Sequence, residues 1–521
     1  MKEASGKVYL VGAGPGDPGL LTLRGAELLR IAEVVVCDAL ANPALLAHVP
    51  AGAEVVRRDQ DRKLTPDRII KLLIDRARRG RMVVRLKGGD SYVFGRGSEE
   101  AGALSEAGIP FEVVPGVTSA VAVPAAAGIP LTQRGVASSF TVVTGHEDPT
   151  KSMTEVDLAQ LAEASGTRVI LMGAARIRTI VEGLRAHGLS PKTPVAMIRE
   201  GTTPRQQTVV GTLGTIADLA EEAGMKPPVV TVIGEVVRLR DRLNWFESRP
   251  LSGQRVVVTR ARAQAAGLIE RFSALGADVL PVPSIRTAPP SDAHPLVEAI
   301  TGLHGYDWLV FTSVNGVNAF LDCFSKAFED LRDIGGVRLA AVGPATADRL
   351  RESKFAVDVM PSKFEAKAIA QAIGEQQSLE NLRILLLRAE VATSDLPAML
   401  EEKGAIVDDI ACYRTVAETE IDPVVEGRLR VEGAEWLTFA SGSSVEHFHA
   451  RFDLPELCRR FPRLGCVSIG PESSKALAEL GLRPVAEADP HTTEGLVAAV
   501  LRARSRPRPR APRKRSAKRQ L

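Results

Sequence analysis

Aromatic residues are scarce in this chain, where 3 tryptophans, 4 tyrosines and 15 phenylalanines make up 4% of 521 residues. Surfaces that stack on nucleic-acid bases depend on aromatic side chains, so this content argues against such a surface. Long apolar runs are lacking too, because no stretch approaches the roughly 20 residues that cross a bilayer. Residues 1–7 contain no apolar stretch of a signal peptide. We therefore expect a cytoplasmic protein with no membrane partner.

Cysteine is also rare, and its spacing excludes two kinds of structure. No C-x-x-C pair occurs, and an odd, scattered set is typical of a reducing compartment. No cysteine–histidine cluster has the spacing of metal ligands, so we predict no metal site. The cysteines are expected to be small buried apolar residues. They are Cys37, Cys323, Cys412, Cys458 and Cys466.

Acidic residues are missing from residues 502–521, which contain ten lysines and arginines. Without these ten cations the formal net charge of +3 becomes −7. A segment of arginine, proline, alanine and serine cannot form a core, so we predict a disordered basic tail. The tail could bind RNA, DNA or an acidic partner. A solvated tail with no defined partner is the favoured interpretation.

What the chain does contain is a repeated alternation of short apolar runs with helical patterns, which predicts an α/β fold. Its length exceeds a single core and predicts about three or four domains. The most informative stretch is residues 82–100, where an apolar run ends at Gly88-Gly89-Asp90. Glycines there let a backbone approach a ligand closely. Ser98-Glu99-Glu100 then resembles a helix cap. From the residues alone, a ligand loop and a plain strand-to-helix turn both remain open.

A family resemblance favours the ligand loop. Residues 87–100 read K-G-G-D-S-Y-V-F-G-R-G-S-E-E, and residues 115–119 and 128–132 continue the pattern with P-G-V-T-S and G-I-P-L-T. These motifs closely resemble the uroporphyrinogen-III C-methyltransferases over about residues 7–245. The resemblance implies two α/β subdomains, about 7–115 and 116–245, and a homodimer formed through this half. It also implies that S-adenosylmethionine methylates uroporphyrinogen III twice to give precorrin-2. The implied cofactor contacts are Pro15, Gly88, Gly89, Asp90, Val93, Thr118, Ser119, Met172 and Gly201.

The opening loop offers a competing interpretation. Gly14, Gly16 and Gly19 satisfy G-x-G-x-x-G, and Asp38 follows at the distance of a ribose-binding acid. That pattern is typical of dinucleotide-binding enzymes. Pro15 and Pro18 argue against it, because proline removes backbone donors that would hold a pyrophosphate. The same opening occurs in the methyltransferase family, so the dinucleotide alternative is the weaker of the two.

Two residues are candidates for proton transfer. Asp38 matches the proton acceptor of the family, and the chemistry needs one because a proton must leave the macrocycle. The alternative is an aspartate that caps the following turn. Arg57 stands where the family has a lysine proposed as proton donor. Since arginine holds its proton too tightly, we interpret Arg57 as a clamp for a substrate carboxylate.

A substrate with eight carboxylates requires a basic cleft. Bidentate pairing with arginine would hold such carboxylates. Each candidate could equally be a solvated surface charge. The candidates are Arg57, Arg58, Arg85, Lys87, Arg96 and Arg134.

Residues 246–253 are predicted to be a linker, after which the strand pattern restarts at Arg255. The apolar runs of residues 254–501 end in serine, threonine, glycine or arginine, and their alternation with helices predicts a parallel sheet. Hydroxyls and helix N-termini at strand ends bind anionic groups. No acid–base pair or nucleophile stands out. A cleft that holds an anion, or a binding module without catalysis, fits these residues equally well.

Six short motifs in order resemble uroporphyrinogen-III synthase over residues 252–501: V-T-R-A-R, F-T-S-V-N-G, A-V-G-P-A-T, C-Y-R-T, F-A-S-G-S-S and I-G-P-E-S-S. The resemblance implies cyclisation of hydroxymethylbilane to uroporphyrinogen III without a cofactor. It implies two α/β domains, 254–285 with 416–501 and 286–415, joined by a two-stranded connector. Tyr413 matches a tyrosine proposed to assist departure of the hydroxyl, although a core aromatic is the alternative. Candidate substrate contacts are Arg260, Thr312, Ser313, Asn315, Thr346, Ser441, Ser443 and Ser473.

Overall fold

The structure is a computed structural model that describes residues 6–60, 64–145, 157–362, 366–392 and 394–505. These residues form two compact units that divide between Gln254 and Arg255, with residues 272–278 counted in the first. Each unit contains two five-stranded sheets. The α/β class expected from the alternation of apolar runs and helical patterns is therefore confirmed.

The first sheet of the first unit is parallel throughout, in the order β3-β2-β4-β1-β5. Its strands are β1 (Val8–Gly12), β2 (Val34–Cys37), β3 (Glu54–Arg57), β4 (Val83–Lys87) and β5 (Phe111–Val114). Helices α1 (Leu23–Arg30), α2 (Pro66–Arg78) and α3 (Gly97–Glu106) connect them. Apolar clusters cover both faces of this sheet, which explains the apolar runs of β1 and β2.

Two helix starts differ from the sequence pattern. Helix α1 begins at Leu23, capped by the Thr22 hydroxyl, and only a 3₁₀ turn at Pro18–Leu20 follows the opening glycines. Helix α3 begins after Arg96, which has a left-handed φ of 57° and makes no capping hydrogen bond through its side chain. The predicted cap at residues 98–100 is therefore wrong.

The second sheet of this unit is mixed, in the order β6-β7-β10-β8-β9. Only β6 and β7 pair in parallel, and the other neighbours are antiparallel. Its strands are β6 (Phe140–Thr144), β7 (Thr167–Leu171), β8 (Pro194–Arg199), β9 (Gln207–Thr212) and β10 (Val229–Ile233). Its helices are α4 (Ser119–Ala126), α5 (Leu158–Glu163), α6 (Ile177–Ala186), α7 (Ile216–Glu222) and α8 (Arg240–Leu243). Helix α4 packs through Ala120 and Val123 on this sheet, although it directly follows the last strand of the first.

The second unit contains two further sheets, with the orders β12-β11-β18-β19-β20 and β13-β17-β16-β14-β15. The strands are β11 (Arg255–Val258), β12 (Asp278–Pro281), β13 (Ile285–Ala288), β14 (Trp308–Phe311), β15 (Arg338–Ala341), β16 (Arg383–Ala389), β17 (Ile406–Ala417), β18 (Trp436–Phe439), β19 (Gly465–Ser468) and β20 (Ala486–Glu487). The helices are α9 (Arg262–Ala274), α10 (His294–Thr301), α11 (Val314–Ala327), α12 (Pro344–Glu352), α13 (Ala366–Gln376), α14 (Asp395–Glu402), α15 (Pro423–Glu432), α16 (Gly442–Phe452), α17 (Leu454–Arg460), α18 (Pro471–Glu479) and α19 (Thr493–Arg504).

Strand β17 has 12 residues and belongs to two ladders. Its first part pairs in parallel with β16, and its end, from Arg414 to Ala417, pairs antiparallel with β13. The strands expected to be parallel do pair in parallel, β14 to β17 in one sheet and β11, β18 and β19 in the other. Strand β13 was not among them. The antiparallel pair has the form of the two-stranded connector that the resemblance implied.

Two segments that the sequence predicts to be irregular contain buried or helical residues. Within the predicted linker 246–253, Phe246 and Leu251 are buried. Helix α19 continues to Arg504, so Arg502 and Arg504 are helical, and the predicted disordered tail from 506 lies outside the described residues. Cys37, Cys412 and Cys466 are buried and the other two cysteines half-buried. Among the described helices none is both long and apolar enough to cross a membrane.

Candidate active sites

Three glycine backbones meet where strands β1, β4 and β5 end. A Cβ on Gly12 would lie 2.5 Å from the Gly116 backbone nitrogen, and one on Gly116 would lie 2.3 Å from the Gly89 carbonyl oxygen. Real Cβ contacts are not that short, so glycine is required at both positions. The three loops therefore pack backbone against backbone, as a site that admits a ligand to the strand ends requires.

The Asp90 carboxylate ties two of these loops together. Its Oδ1 accepts from the Tyr92 N–H at 2.7 Å, and its Oδ2 accepts from the Gly116 N–H at 2.9 Å. Both carboxylate oxygens of Asp90 thus accept hydrogen bonds from backbone N–H groups. Asp90 is positioned to shape the loop that contains Gly88 and Gly89.

The dinucleotide alternative does not fit this geometry. Gly14 donates its N–H to the Gly89 carbonyl at 3.1 Å and accepts the Gly89 N–H at 2.7 Å. No helix begins at Gly19, since α1 starts at Leu23. The loop consequently lacks the helix N-terminus that would hold a pyrophosphate.

Residues from the second sheet join the same site. The Cβ position of Gly89 lies 3.8 Å from the Ser119 nitrogen at the start of α4, where Thr118 caps the helix. Gly201, after β8, packs on Val123 of α4, where a Cβ would lie 2.3 Å from the valine side chain. The Asp17 N–H donates to the Thr202 hydroxyl at 3.1 Å. The loops around residues 15–17, 88–90 and 201–203 therefore converge on the N-terminal turn of α4.

Three non-glycine residues at these strand ends have left-handed backbones. Met172 follows β7 with a φ of 55°, while Glu200 and Thr202 follow β8 with φ of 48° and 67°. Such conformations cost free energy and concentrate at functional sites. Met172 and Val93 are both exposed side chains.

Asp38 lies directly after β2 and is paired with two arginines. Its Oδ1 accepts from Arg85 Nη2 at 3.2 Å and from Arg58 Nη1 at 3.5 Å. Burial raises the Asp38 pKa, but the charges of Arg85 and Lys87 with the Arg85 hydrogen bond outweigh it and hold the pKa below its usual value. The carboxylate is thus ionised at neutral pH. The alternative that its side chain caps a turn is wrong, because guanidinium groups occupy it.

Arg85 and Lys87 do not form an open clamp. Their side chains are 2% and 3% exposed, and both bind Glu100 Oε1, at 3.2 Å from Arg85 Nε and 2.9 Å from Lys87 Nζ. Burial, followed by the charge of Arg85, lowers the Lys87 pKa. Both predictions for these two cations, a substrate clamp and a solvated surface charge, are therefore wrong. Glu100 was not identified from the sequence as a partner of either.

A cavity of about 60 Å³ adjoins this cluster and is lined by Asp38, Lys87, Glu100 and Arg96 among others. The other predicted cations differ in their surroundings. Arg57 forms a bidentate pair with Asp59, at 3.1 and 2.6 Å. Arg58, Arg96 and Arg134 have exposed side chains, with Arg96 paired to Glu99. The Arg57 side chain is half-buried.

In the second unit, Tyr413 lies on β17 with its hydroxyl 3.0 Å from the Ser313 hydroxyl. The residue is 7% exposed. Burial raises the Tyr413 pKa, while hydrogen bonding with Ser313 and Asn315 opposes the rise. Tyr413 thus has the burial of a core aromatic and the hydrogen bonds of a polar site, so both interpretations describe part of it.

Ser313 and Ser441 occupy equivalent positions at the starts of α11 and α16. The Ser313 hydroxyl accepts from the Gly316 N–H at 3.1 Å, and the Ser441 hydroxyl accepts from the Ser444 N–H at 3.1 Å. Ser443 lies 3.1 Å from Ser441, hydroxyl to hydroxyl. Thr312 is half-buried beside Ser313. Each strand end therefore presents a hydroxyl together with a helix N-terminus, as expected of an anion-binding cleft.

Thr346 and Ser473 are buried in this structure. They are 5% and 1% exposed, inside the first turns of α12 and α18. That their hydroxyls contact substrate stays a prediction.

Arg260 and Asn315 are linked through a residue that sequence reasoning missed. Arg260 Nη1 donates to the Thr493 hydroxyl at 2.9 Å, and its Nε donates to Gln264 Oε1 at 3.3 Å. Gln264 Nε2 donates in turn to Asn315 Oδ1 at 2.5 Å. Nothing in the sequence pattern connects Gln264 to a residue 51 positions away.

Comparisons with known proteins match both halves of the chain. The family model of the tetrapyrrole (corrin/porphyrin) methylases matches residues 7–217, and that of uroporphyrinogen-III synthase HemD matches residues 266–498. Porphyrin biosynthesis protein HemD of Ruminiclostridium josui is 35% identical over 500 residues, which is 95% of this chain and 98% of that protein. The chain belongs to both families. It is a tetrapyrrole methylase in its first half and a uroporphyrinogen-III synthase in its second.

Two further relatives are named as uroporphyrinogen III methyltransferases. The S-adenosyl-L-methionine-dependent uroporphyrinogen III methyltransferase of Methanosarcina barkeri is 52% identical over 241 residues, covering 46% of this chain and 94% of that protein. Uroporphyrinogen-III C-methyltransferase of Bacillus subtilis is 36% identical over 383 residues, covering 73% and 77%. The match of the second half to a synthase family favours an enzyme there over a regulatory binding module.

Proposed function

We propose that this chain is a bifunctional enzyme of tetrapyrrole synthesis. The synthase half cyclises hydroxymethylbilane to uroporphyrinogen III with loss of water, without a cofactor. The methylase half methylates uroporphyrinogen III twice, from S-adenosylmethionine, to give precorrin-2. The observation that carries this proposal is that both families match in order along one chain, which a single relative matches over 95% of its length.

The methylase half has the residues to hold such a methyl donor. Gly88, Gly89 and Gly201 line the proposed cradle, and a Cβ on Gly201 would lie 2.3 Å from the Val123 side chain. Beside it, Thr118 caps helix α4 and Ser119 is the first residue of that helix. When bound, S-adenosylmethionine supplies an electrophilic methyl group on a sulfonium. Pro15, Val93 and Met172 complete the proposed contacts, while Asp90 holds the Gly88-Gly89 loop in place.

Asp38 is the proposed proton acceptor of the methylase half. Its lowered pKa keeps it ionised, and among the described residues only its Oδ1 is paired. Arg58, Arg96 and Arg134 are placed to bind substrate carboxylates, since their side chains reach solvent. Arg57 binds and orients substrate, but as an arginine it does not donate a proton.

The synthase half works by holding its substrate in a productive shape. Tyr413 assists departure of the hydroxyl group, next to Ser313 and Asn315. Arg260, Thr312, Ser441 and Ser443 bind carboxylates at the rim. We further propose, from the family resemblance, a homodimer formed through the methylase half and a cytoplasmic location.

The substitution Asp38→Asn tests the methylase assignment. Because the amide cannot accept the proton, we expect methylation of uroporphyrinogen III to fall at least about 100-fold. S-adenosylhomocysteine should bind as in the parent, since Asp38 lies outside the glycine cradle. Methyl transfer is measured by mass spectrometry and binding by calorimetric titration.

The matched control is Asp241→Asn, the same change at an exposed aspartate of α8. It should leave methylation and binding unchanged. Full turnover of the Asp38 variant would remove Asp38 from the mechanism. Loss of S-adenosylhomocysteine binding in that variant would mean that Asp38 supports the cofactor site instead.

A further inference from the structure

The segment after α8 is connected by side-chain hydrogen bonds to the loop after β8. Glu247 Oε1 accepts from Gln206 Nε2 at 2.8 Å, and Gln206 Oε1 accepts from the Thr202 N–H at 2.8 Å. The Thr202 hydroxyl accepts in turn from the Asp17 N–H at 3.1 Å. Glu247 belongs to the predicted linker and lies beyond the residues that the methylase family model matches. These hydrogen bonds therefore join the predicted linker to the opening loop of the chain.

Both partners of the Gln206 amide require it to have the same orientation. The Thr202 N–H can only donate, so it needs the Gln206 oxygen. A carboxylate can only accept, so Glu247 needs the Gln206 NH₂ group. Gln206 is 8% exposed, so little water can replace either partner. The amide therefore satisfies both partners in this orientation alone.

Two further donors hold the Glu247 carboxylate in place. Its Oε1 also accepts from the Thr208 hydroxyl on β9, and its Oε2 pairs with Arg240 on α8. Arg240 donates in addition to the carbonyl oxygen of Ala127, the residue that ends α4. The carboxylate thus connects α8 and β9 to the helix whose first turn lies beside the proposed donor cradle.

Thr202 needs this support because its backbone is strained. Its φ of 67° lies in the left-handed region, which β-branched residues rarely adopt, and the residue is buried. It directly follows Gly201, a proposed donor contact. The opening loop packs against the same place, since a Cβ on Gly16 would lie 2.7 Å from the Thr203 methyl carbon. Thr202 therefore links the loop of Gly201 to the loop of Pro15, another proposed donor contact.

We propose that Gln206 and Glu247 are positioning residues of the methyl-donor site. Through Thr202 they hold the loops around residues 15–17 and 201–203 in the arrangement that binds the donor. The inference rests on the proposed binding of S-adenosylmethionine at these loops. The first residues of the predicted linker accordingly serve the methylase half.

Exchanging the two side chains tests this inference. In Gln206→Glu two carboxylates face each other, so the loop must move. In Glu247→Gln the single amide oxygen is needed by both Arg240 and Gln206, so one of these donors loses its acceptor. In the double variant the new carboxylate accepts from Thr202 and from the new amide, whose oxygen accepts from Arg240. The Thr208 hydroxyl can rotate to accept, so the exchange restores every contact.

Calorimetric titration of the full chain with S-adenosylhomocysteine measures the outcome. We expect binding at least about tenfold weaker in Gln206→Glu, at least about threefold weaker in Glu247→Gln and within about twofold of the parent in the double variant. In methylation assays, the KM for S-adenosylmethionine should follow the same order, while the KM for uroporphyrinogen III stays within about twofold. A merely structural loss would not spare one substrate or be reversed by the exchange.

The matched control is Gln371→Glu, on α13 in the synthase half. Gln371 Nε2 also donates to a glutamate, Glu375, at 3.0 Å, but both residues are exposed. The same change there should leave S-adenosylhomocysteine binding unchanged, because water and salt screen exposed like charges.

Additive losses in the double variant would overturn the inference, because the two side chains would then act independently. Parent-like affinity in both single variants would overturn it as well. If Gln206→Glu does not fold, the other two variants still decide, since the double variant must bind more tightly than Glu247→Gln. A parent chain that binds no S-adenosylhomocysteine would instead refute the proposed donor site, and this inference with it.

Discussion

Glu99 and Glu100 show how much the environment of one residue decides its role. They are neighbours with the same side chain, yet Glu99 forms an exposed pair with Arg96 while Glu100 is buried between Arg85 and Lys87. An exposed ion pair contributes little to stability. A buried anion shared by two buried cations is different, because removing it leaves uncompensated charge in a poorly hydrated place.

The same substitution at both positions separates these cases. Glu100→Gln should destabilise the methylase half by about 3–5 kcal/mol, seen as a thermal midpoint lower by roughly 6–20 °C. Glu99→Gln should shift the midpoint by no more than about 2 °C. Differential scanning calorimetry of the full chain measures both. Equal losses in the two variants would contradict the structural role given to Glu100.

For single residues, the sequence predicted which residue types lie at the site better than it predicted their hydrogen-bond and ion-pair partners. The sequence identified Asp38 as a carboxylate at a strand end. Its ionised state depends on Arg85 and Lys87, which the sequence suggested as binders of substrate carboxylates. Gln264 could not be found, because its partner Asn315 lies in another helix, α11, 51 positions along the chain. The burial of Thr346 and Ser473 could not be predicted either, since a hydroxyl in a motif does not reveal whether it is buried.

Loops at strand ends, more than the strands themselves, form the methylase site. Gly12, Gly89 and Gly116 let three of these loops touch through their backbones, and α4 brings residues of the second sheet to the same place. This packing leaves no room for a side chain at the contact. The shape of the proposed donor cradle therefore also depends on Gly12 and Gly116, which are not among the proposed donor contacts.

Gly116→Ala tests that dependence. Its Cβ would lie 2.3 Å from the Gly89 carbonyl oxygen, so the Gly88-Gly89 loop must move. We expect calorimetric titration to show S-adenosylhomocysteine bound at least about tenfold more weakly, a loss of about 1.4 kcal/mol. The control is Gly102→Ala in α3, where no atom lies within 4 Å and alanine favours the helix. Parent-like affinity in the Gly116 variant would show that the cradle tolerates the shift.

Elements were predicted where apolar periodicity is strong and missed where tertiary contacts dominate. The strands of both units follow the apolar runs closely. Helix α3 starts at Gly97, beside the acidic start expected at residues 98–100, but no side chain caps it. The antiparallel pair of β13 and β17 was implied only by the family resemblance, because no local signal marks the unusual length of β17.

The whole molecule combines two enzymes that use consecutive intermediates. The product of the synthase half is the substrate of the methylase half, which gives the fusion a kinetic rationale. The alternative, a methylase with a regulatory binding module, is disfavoured by the match of the second half to a synthase family. The order of the two halves and the function of each could be predicted from sequence motifs, because each motif is one short continuous stretch at a strand end.

The most direct test of the account is the macrocycle that the purified chain makes from hydroxymethylbilane. Without a methyl donor, we predict uroporphyrinogen III, separated by chromatography from the type I isomer that forms spontaneously. With S-adenosylmethionine added, mass spectrometry should show two methyl groups on each macrocycle. Formation of only the type I isomer, or of an unmethylated product in the presence of the donor, would contradict the account.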